Sequence, residues 1–416
     1  MNLHQPQWWQ SSYGSGVPSV PLRGGPGGFI LKPRSVYCRS GNNSLNTWPT
    51  SSEQFSSQLG DQDRAFASAF GILEQAVAQK AFPGASVAVT HAGKLVALKS
   101  VGRFTYEEGS PQVTVDSVFD LASVTKVVAT TSMAMILYER GLLDLEAPVV
   151  GVIPEFNGDD PRRREVTFRM LLAHSSGLSG HEKLYLSSHS LDEVIAEALR
   201  VPLKSPPGTR AEYSDLGFIA LGLALERIAE EGLDAFCQRE VFGPLGMLQT
   251  VFNPPSALKS RIPPTANDET YRKRIIQGEV YDENASVMGG VAPHAGLFSA
   301  ASDVAIFAHA MLSGGSPISR RETVALFTHQ EDSPPGTSRA LGWDTPSAPS
   351  LSGKYFSPAS FGHVGYTGTS LWIDPERQLS VTMLTNRTWP DSANRAIREI
   401  WPRFHDAVAE ALGATR

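Results

Sequence analysis

Cysteine is almost missing from this chain. Cys38 and Cys237 form no C-x-x-C, so neither a disulfide framework nor a structural zinc site is supported. Ten histidines include no H-E-x-x-H, no serine sits in G-x-S-x-G and no lysine sits in a P-loop. The commonest motifs of metal-dependent, α/β-type and nucleotide hydrolases are therefore absent, and no metal or cofactor is expected. No apolar run approaches the ~18 residues of a membrane span. The net charge of −6 carries no basic block, which argues against nucleic acid as a partner. The start lacks a continuous apolar stretch behind basic residues, Phe29-Ile30-Leu31 being too short for one. With no export signal in view, the expected compartment is the cytoplasm, or the periplasm or exterior if the N-terminus is misassigned.

What is present is ordinarily globular: 416 residues, 41% hydrophobic and 19% charged, enough for one large or two intimately joined domains. Residues 1–60 hold 25 Gly, Pro or Ser with little periodicity and read as a disordered or loosely attached tail. Folding is expected over 61–412. Phe66, Phe70, Leu73 and Val77 mark one face of a helix. Ser86–Thr90 and Lys94–Leu98, turning at His91-Ala92-Gly93, read as a hairpin. Matching strands return only at the far end, as Ser370–Ile373 and Leu379–Leu384 around Asp374-Pro375. A closing helix is expected from about Ser392, kinked before Pro402. The pattern predicts an α+β fold. Residues 61–120 and 351–412 build an antiparallel sheet flanked by helices, with 121–350 a mainly helical insertion and a cleft between them.

Three constellations carry chemistry. Ser123-Val124-Thr125-Lys126 opens a long apolar helix, and residues three apart share a helix face. Ser123 would sit in the first turn, where free N–H groups favour negative charge. Lys126, desolvated among valines, would have a lowered pKa and accept the serine proton. A capping serine beside a solvated lysine is the plain alternative. A second copy of the pattern, Ser256-Ala257-Leu258-Lys259, lies between proline pairs and reads as a loop. Tyr213-Ser214-Asp215 enters the next helix, either as a packing tyrosine with a capping residue or as a phenol whose pKa Lys126 depresses for proton shuttling. Gly362-His363-Val364-Gly365-Tyr366-Thr367-Gly368 precedes the last hairpin. Its glycines allow close backbone approach, at an edge strand that can offer the Tyr366 N–H with that of Ser123 as an oxyanion hole. His363 would supply a donor or partial positive charge for a substrate carboxylate or the tyrosine, the plain alternative being a glycine-rich strand with an incidental histidine.

In this order the three elements resemble the penicillin-recognising serine hydrolases: class C β-lactamases, D-alanyl-D-alanine carboxypeptidases and β-lactamase-like (family VIII) carboxylesterases. Val166–Leu178, Phe242–Met247, Tyr281–Ala285, His294–Ser299 and Gly365–Pro375 extend the likeness across about 61–412. The resemblance implies a β-lactamase/transpeptidase-like fold. It makes Ser123 the acylated nucleophile, Lys126 its proton acceptor and Tyr213 the second acid/base. It gives the oxyanion N–H groups to Ser123 and Tyr366, and lines the substrate with Asp215, His363 and Gly365; His294 reads either as a further lining residue or as a histidine that stabilises a turn. His174 reads instead as a buried histidine holding a loop.

Two departures matter. Asp215 stands where the family usually has asparagine, and near Lys126 it would pair with the ammonium and raise its pKa. His363-Val364 replaces Lys-Thr, losing a fixed positive charge. Both favour a carboxylesterase on small esters over a β-lactamase or D-alanyl-D-alanine carboxypeptidase, so the expected partner is a small ester, with a β-lactam or D-alanyl peptide as the alternative. A non-catalytic scaffold of the same fold and a metal hydrolase are the readings from other classes.

Overall fold

The computed structural model of the chain describes residues 56–415. The expected tail lies outside the described residues up to position 55. Ser56–Ser57 (β1) already pairs in parallel with Lys94-Leu95, so the sheet begins ahead of Asp61. The hairpin near the N-terminus is β2 (Gly84–His91) and β3 (Lys94–Gly102), and Ala92 and Gly93 take the positive φ its tight turn demands. Near the C-terminus lie β4 (Phe361–Val364), β5 (Ser370–Asp374) and β6 (Leu379–Thr385). They join in the order β1-β3-β2-β6-β5-β4. The distant ends meet where β6 runs antiparallel to β2, with Val381 opposite Val89 and Thr382 opposite Ala88.

The period of two along these strands divides them between two cores. Val87, Val89, Leu379, Val381 and Met383 face an outer helical layer. Ala88 and Leu384 face the inner one, where Ala301–Leu312 crosses the sheet. The outer layer is the helix Ala67–Ala78 with the closing helix Ile397–Ala411. Phe66, Phe70 and Leu73 are buried as their spacing predicts, while Ala76 is buried and Val77 only partly. The closing helix starts later than expected, at Ile397, and carries Pro402 inside it.

Residues 121–350 are mainly helical, but Leu297–Ser299 and Val251–Phe252 form a small sheet with Phe119–Asp120, and Ala266–Asp268 pairs with Arg274–Ile276. Strands of two or three residues are too short to show a period, so pattern reading passes over them. Ser256–Arg261, the second S-x-x-K, is a short 3₁₀ turn with no buried residue. No helix among the described residues is long and apolar enough to cross a membrane.

Phe404 is fully buried between the closing helix and the sheet. Phe404→Ala should cost about 3–5 kcal/mol, as an emptied aromatic site does, measurable as a lowered denaturant midpoint at unchanged slope.

Candidate active site

The helix that begins at the first S-x-x-K is assembled in steps. Ala122 takes a left-handed φ of 46°, a strained value for a residue with a side chain. A 3₁₀ turn covers Ala122–Val124, a wider π-type turn covers Lys126–Thr131, and regular α-helix continues over Ser132–Glu139. Such π segments recur at functional sites. Asp120 holds the strained turn, accepting from Ala122 N at 2.8 Å and from Tyr281 N at 2.6 Å. Burial pushes its carboxyl up to about 6. Thr125 Oγ1 accepts from Leu297 N, and Thr130 Oγ1 donates to Pro293 O at 2.7 Å.

Lys126 is fully buried and spends its ammonium protons on Asp215 Oδ1 at 2.7 Å, His294 O at 2.9 Å and Ser123 Oγ at 3.2 Å. Tyr213 Oη donates to Ser123 Oγ at 2.6 Å. Ser214, not Asp215, caps the following helix Asp215–Ala229, accepting from Gly217 N at 3.0 Å. This leaves Asp215 as the first helical residue, its side chain turned to Lys126 and, at 3.5 Å, to His181 Nδ1. His174 holds this segment: its Nδ1 accepts from Ser214 N at 3.0 Å, its carbonyl accepts from Glu212 N, and its ring stacks on Phe218 and packs at a tilt against Tyr213.

The electrostatics correct two expectations. Burial alone would push the Lys126 pKa down, but Asp215 and then Tyr213 outweigh it, and the net direction is up. The ion pair anticipated at Asp215 is the reason. Burial works against the Asp215 carboxylate too, yet Lys126, His181 and His294 hold it well below the usual range. Tyr213 is not depressed: burial and then Asp215 raise it to about 12 against the opposing pull of Lys126. At neutral pH the lysine and the phenol therefore both keep their protons.

The glycine-rich stretch forms edge strand β4 and a tight loop into β5. Thr369 Oγ1 donates to Leu121 O at 2.8 Å and Thr367 Oγ1 to Asp120 O at 2.7 Å, strapping this loop to the turn that carries Ser123. A Cβ on Gly365 would lie 2.1 Å from Thr369 Oγ1 and 2.5 Å from Leu121 O, so only glycine permits the approach. Arg387 closes the loop from behind, its Nε donating to Tyr366 O at 2.6 Å and its guanidinium lying 4.3 Å from the Tyr366 ring centre.

His363 requires a third correction. It is buried, and burial, then Lys126 and Arg339, push its pKa down to about 3. The neutral ring donates from Nδ1 to Val364 O at 2.9 Å, leaving Nε2 as a buried acceptor without a hydrogen-bond partner. It supplies no positive charge.

Two cavities meet at Ser123, Tyr213 and Tyr366. One, of about 420 Å³, includes His363, Gly365, Arg339, Arg387, Arg395 and Arg398 in its wall, with Asp344 the one carboxylate. The other, of about 1010 Å³, is lined in part by Asp215, His294, Tyr281 and Asp282. Sequence reading missed Arg339, whose guanidinium lies 5.6 Å from the Tyr213 ring centre, and the carboxylates Asp120 and Asp282 as partners of the site. Arg339 stands in no motif, and only its cluster with Arg387, Arg395 and Arg398 in space marks it.

Comparison with known proteins places the chain in a family. The family model described as Beta-lactamase matches residues 70–402. The chain is 32% identical over 344 residues to the N-acetylmuramyl-L-alanine amidase of Bacillus subtilis (strain 168), covering 74% of this chain and 77% of that one. It is 30% identical to a putative D-alanyl-D-alanine carboxypeptidase of Escherichia coli (strain K12), covering 74% and 79%. Among solved structures, EstCE1, a hydrolase with promiscuous acyltransferase activity, superposes with a TM-score of 0.69 at 22% identity over 83% of this chain and 99% of its own. A penicillin-binding protein homologue from Caulobacter crescentus does so at 0.67 and 20%, over 83% and 97%. At those identities the structures establish a common fold. With the family model spanning most of the described residues and a relative above 30% identity, the chain belongs to the Beta-lactamase family of serine hydrolases.

Proposed function

We propose that this protein hydrolyses amides through an acyl-enzyme on Ser123, at bonds whose amine half is an amino acid with a free carboxylate. The observation that carries this reading is the guanidinium-lined cavity beside Tyr213 and Ser123. The esterase expectation rested on Asp215 in place of asparagine and on the fixed charge lost at His363, and Arg339, 3.7 Å from Asp344, brings a guanidinium to the same wall. The unpaired Nε2 of His363 adds support, because a leaving amide N–H can satisfy it and an ester oxygen cannot. Both relatives above are named for amide bonds to alanine, and each of those bonds fits the description.

In this reading Ser123 Oγ attacks the carbonyl carbon, and the N–H groups of Ser123 and Tyr366 hold the oxyanion. The reacting species carries one proton fewer on Lys126 and Tyr213 together, and that vacancy takes the serine proton. Tyr213 then delivers a proton to the departing amine nitrogen, and water attacks the acyl-enzyme with the network again as base. Activated esters share the acylation step, since a nitrophenolate leaves without needing a proton. Their turnover therefore reports on the nucleophile and not on the preferred bond.

Three outcomes are expected. Ser123→Ala reduces hydrolysis of p-nitrophenyl butyrate and of any cleaved amide to background in steady-state assays. Arg339→Gln lowers kcat/KM for an N-acyl-alanine by about 10–100-fold, the worth of one charged hydrogen bond, and changes that for the matching alaninamide little. Equal cleavage of acid and carboxamide by the wild type would defeat the carboxylate reading, and ester turnover with inert amides would return the esterase to first place. Asp215→Asn removes the main influence that raises the Lys126 pKa, leaving only Tyr213 to oppose the lowering by burial. Because a lower pKa frees the base at lower pH, the rising alkaline limb of kcat/KM should move toward neutrality in a pH–rate profile.

A further inference from the structure

The larger cavity is left without an occupant by the reading above, which places only the amine half. We propose that it is a saccharide subsite for the acyl half, taking an N-acetylated amino sugar whose ether-linked lactyl arm presents the scissile carbonyl. This rests on the amide reading. Orientation follows from charge: an amine half bearing a carboxylate is drawn to the arginine-lined side.

At about 1010 Å³ the cavity sits at the upper end of small-molecule sites, far beyond what an alanyl side chain needs. Its aromatic surface suits a sugar ring. Tyr281 and Tyr366 stack with centres 5.6 Å apart, Tyr366 remains 51% exposed, and Tyr185 packs on Tyr271 at 4.7 Å. The carboxylates would suit a cationic ligand, but those around the nucleophile already have partners. Asp215 pairs with Lys126 at 2.7 Å and Asp268 with Arg272 at 3.1 Å, and Asp282 lies in hydrogen-bond contact with His294 at 3.0 Å. The rest of the wall mixes the acceptors Asn267, Glu269, Glu283 and Asp391 with Lys183 and His181, a set suited to several hydroxyls more than to one ammonium. A separate sign of a ligand is His294. It lines this cavity at 1% exposure, meets Asp282 through Nε2, and its Nδ1 has no hydrogen-bond partner. With Nε2–H donating to Asp282, Nδ1 accepts, and an acetamido N–H or a hydroxyl is the complement. Of the two bonds named for the relatives, the muramyl one meets these demands.

The test compares kcat/KM for N-acetylmuramyl-L-alanine and for N-lactyl-L-alanine, the same amide without its sugar, in wild type and Tyr281→Ala. The sugar should raise kcat/KM by about 100-fold, the scale of one aromatic contact with added hydrogen bonds. Tyr281→Ala should cut that ratio by about tenfold. Equal rates on the two amides would overturn the subsite while leaving the amide reading intact, as would a preference for alanyl-alanine over the muramyl substrate. If neither amide is cleaved, the amide reading fails, and binding decides the subsite. Saturation-transfer NMR of Ser123→Ala with N-acetylmuramic acid should then show transfer to the ring protons that is lost on adding Tyr281→Ala. No transfer would overturn the proposal.

Discussion

A lysine ammonium with no exposed surface survives only if charge and hydrogen bonds both answer it. In this protein Asp215 answers the charge, and Ser123 and the His294 carbonyl complete the bonds. Much of the site follows from that requirement. Asp215 must face Lys126, so the helix it begins is capped by Ser214 and not by Asp215 itself. With Ser214 fixed by Ser179 and His174, Tyr213 is held at Ser123. The His294 carbonyl brings a separate segment to the same point, along with the His294–Asp282 pair. The arrangement positions the groups closely, but it holds the base in its protonated form.

The second constraint is mechanical. The nucleophile turn and the β4–β5 loop belong to different parts of the chain, and two threonine hydroxyls fasten one to the other through the Asp120 and Leu121 carbonyls. Gly365 lets the two backbones come that close. The spacing between the Ser123 and Tyr366 backbones is therefore set by short hydrogen bonds, with Arg387 behind the loop, and not by loop packing alone.

What was legible in the sequence was whatever a local pattern records. The hairpins, the apolar helix behind Lys126, the edge strand with its glycines and the Asp215–Lys126 pair were all readable, because each depends on neighbours in sequence or on a single opposite charge. The charge states were not. Spacing indicates that Lys126 is buried but not whether burial or Asp215 prevails, and it cannot show that His363 lies deep enough, beside Lys126 and Arg339, to stay neutral. Arg339 was invisible for another reason. Guanidiniums from residues 339, 387, 395 and 398 converge only after the chain has folded, and no motif records that meeting.

The pairing of β6 with β2 brings together residues such as Thr90 and Ser380, 290 positions apart. Closing so long a loop must be paid in chain entropy before the contacts it brings can form. The β4–β5 loop hangs from that late-closing sheet, while the Ser123 helix belongs to the insertion. The turn that carries Ser123 therefore reaches its native environment only when the β4–β5 loop has joined it. Recovery of turnover then marks the last step of assembly, and a ribosome-bound chain stays inert until its final strands emerge.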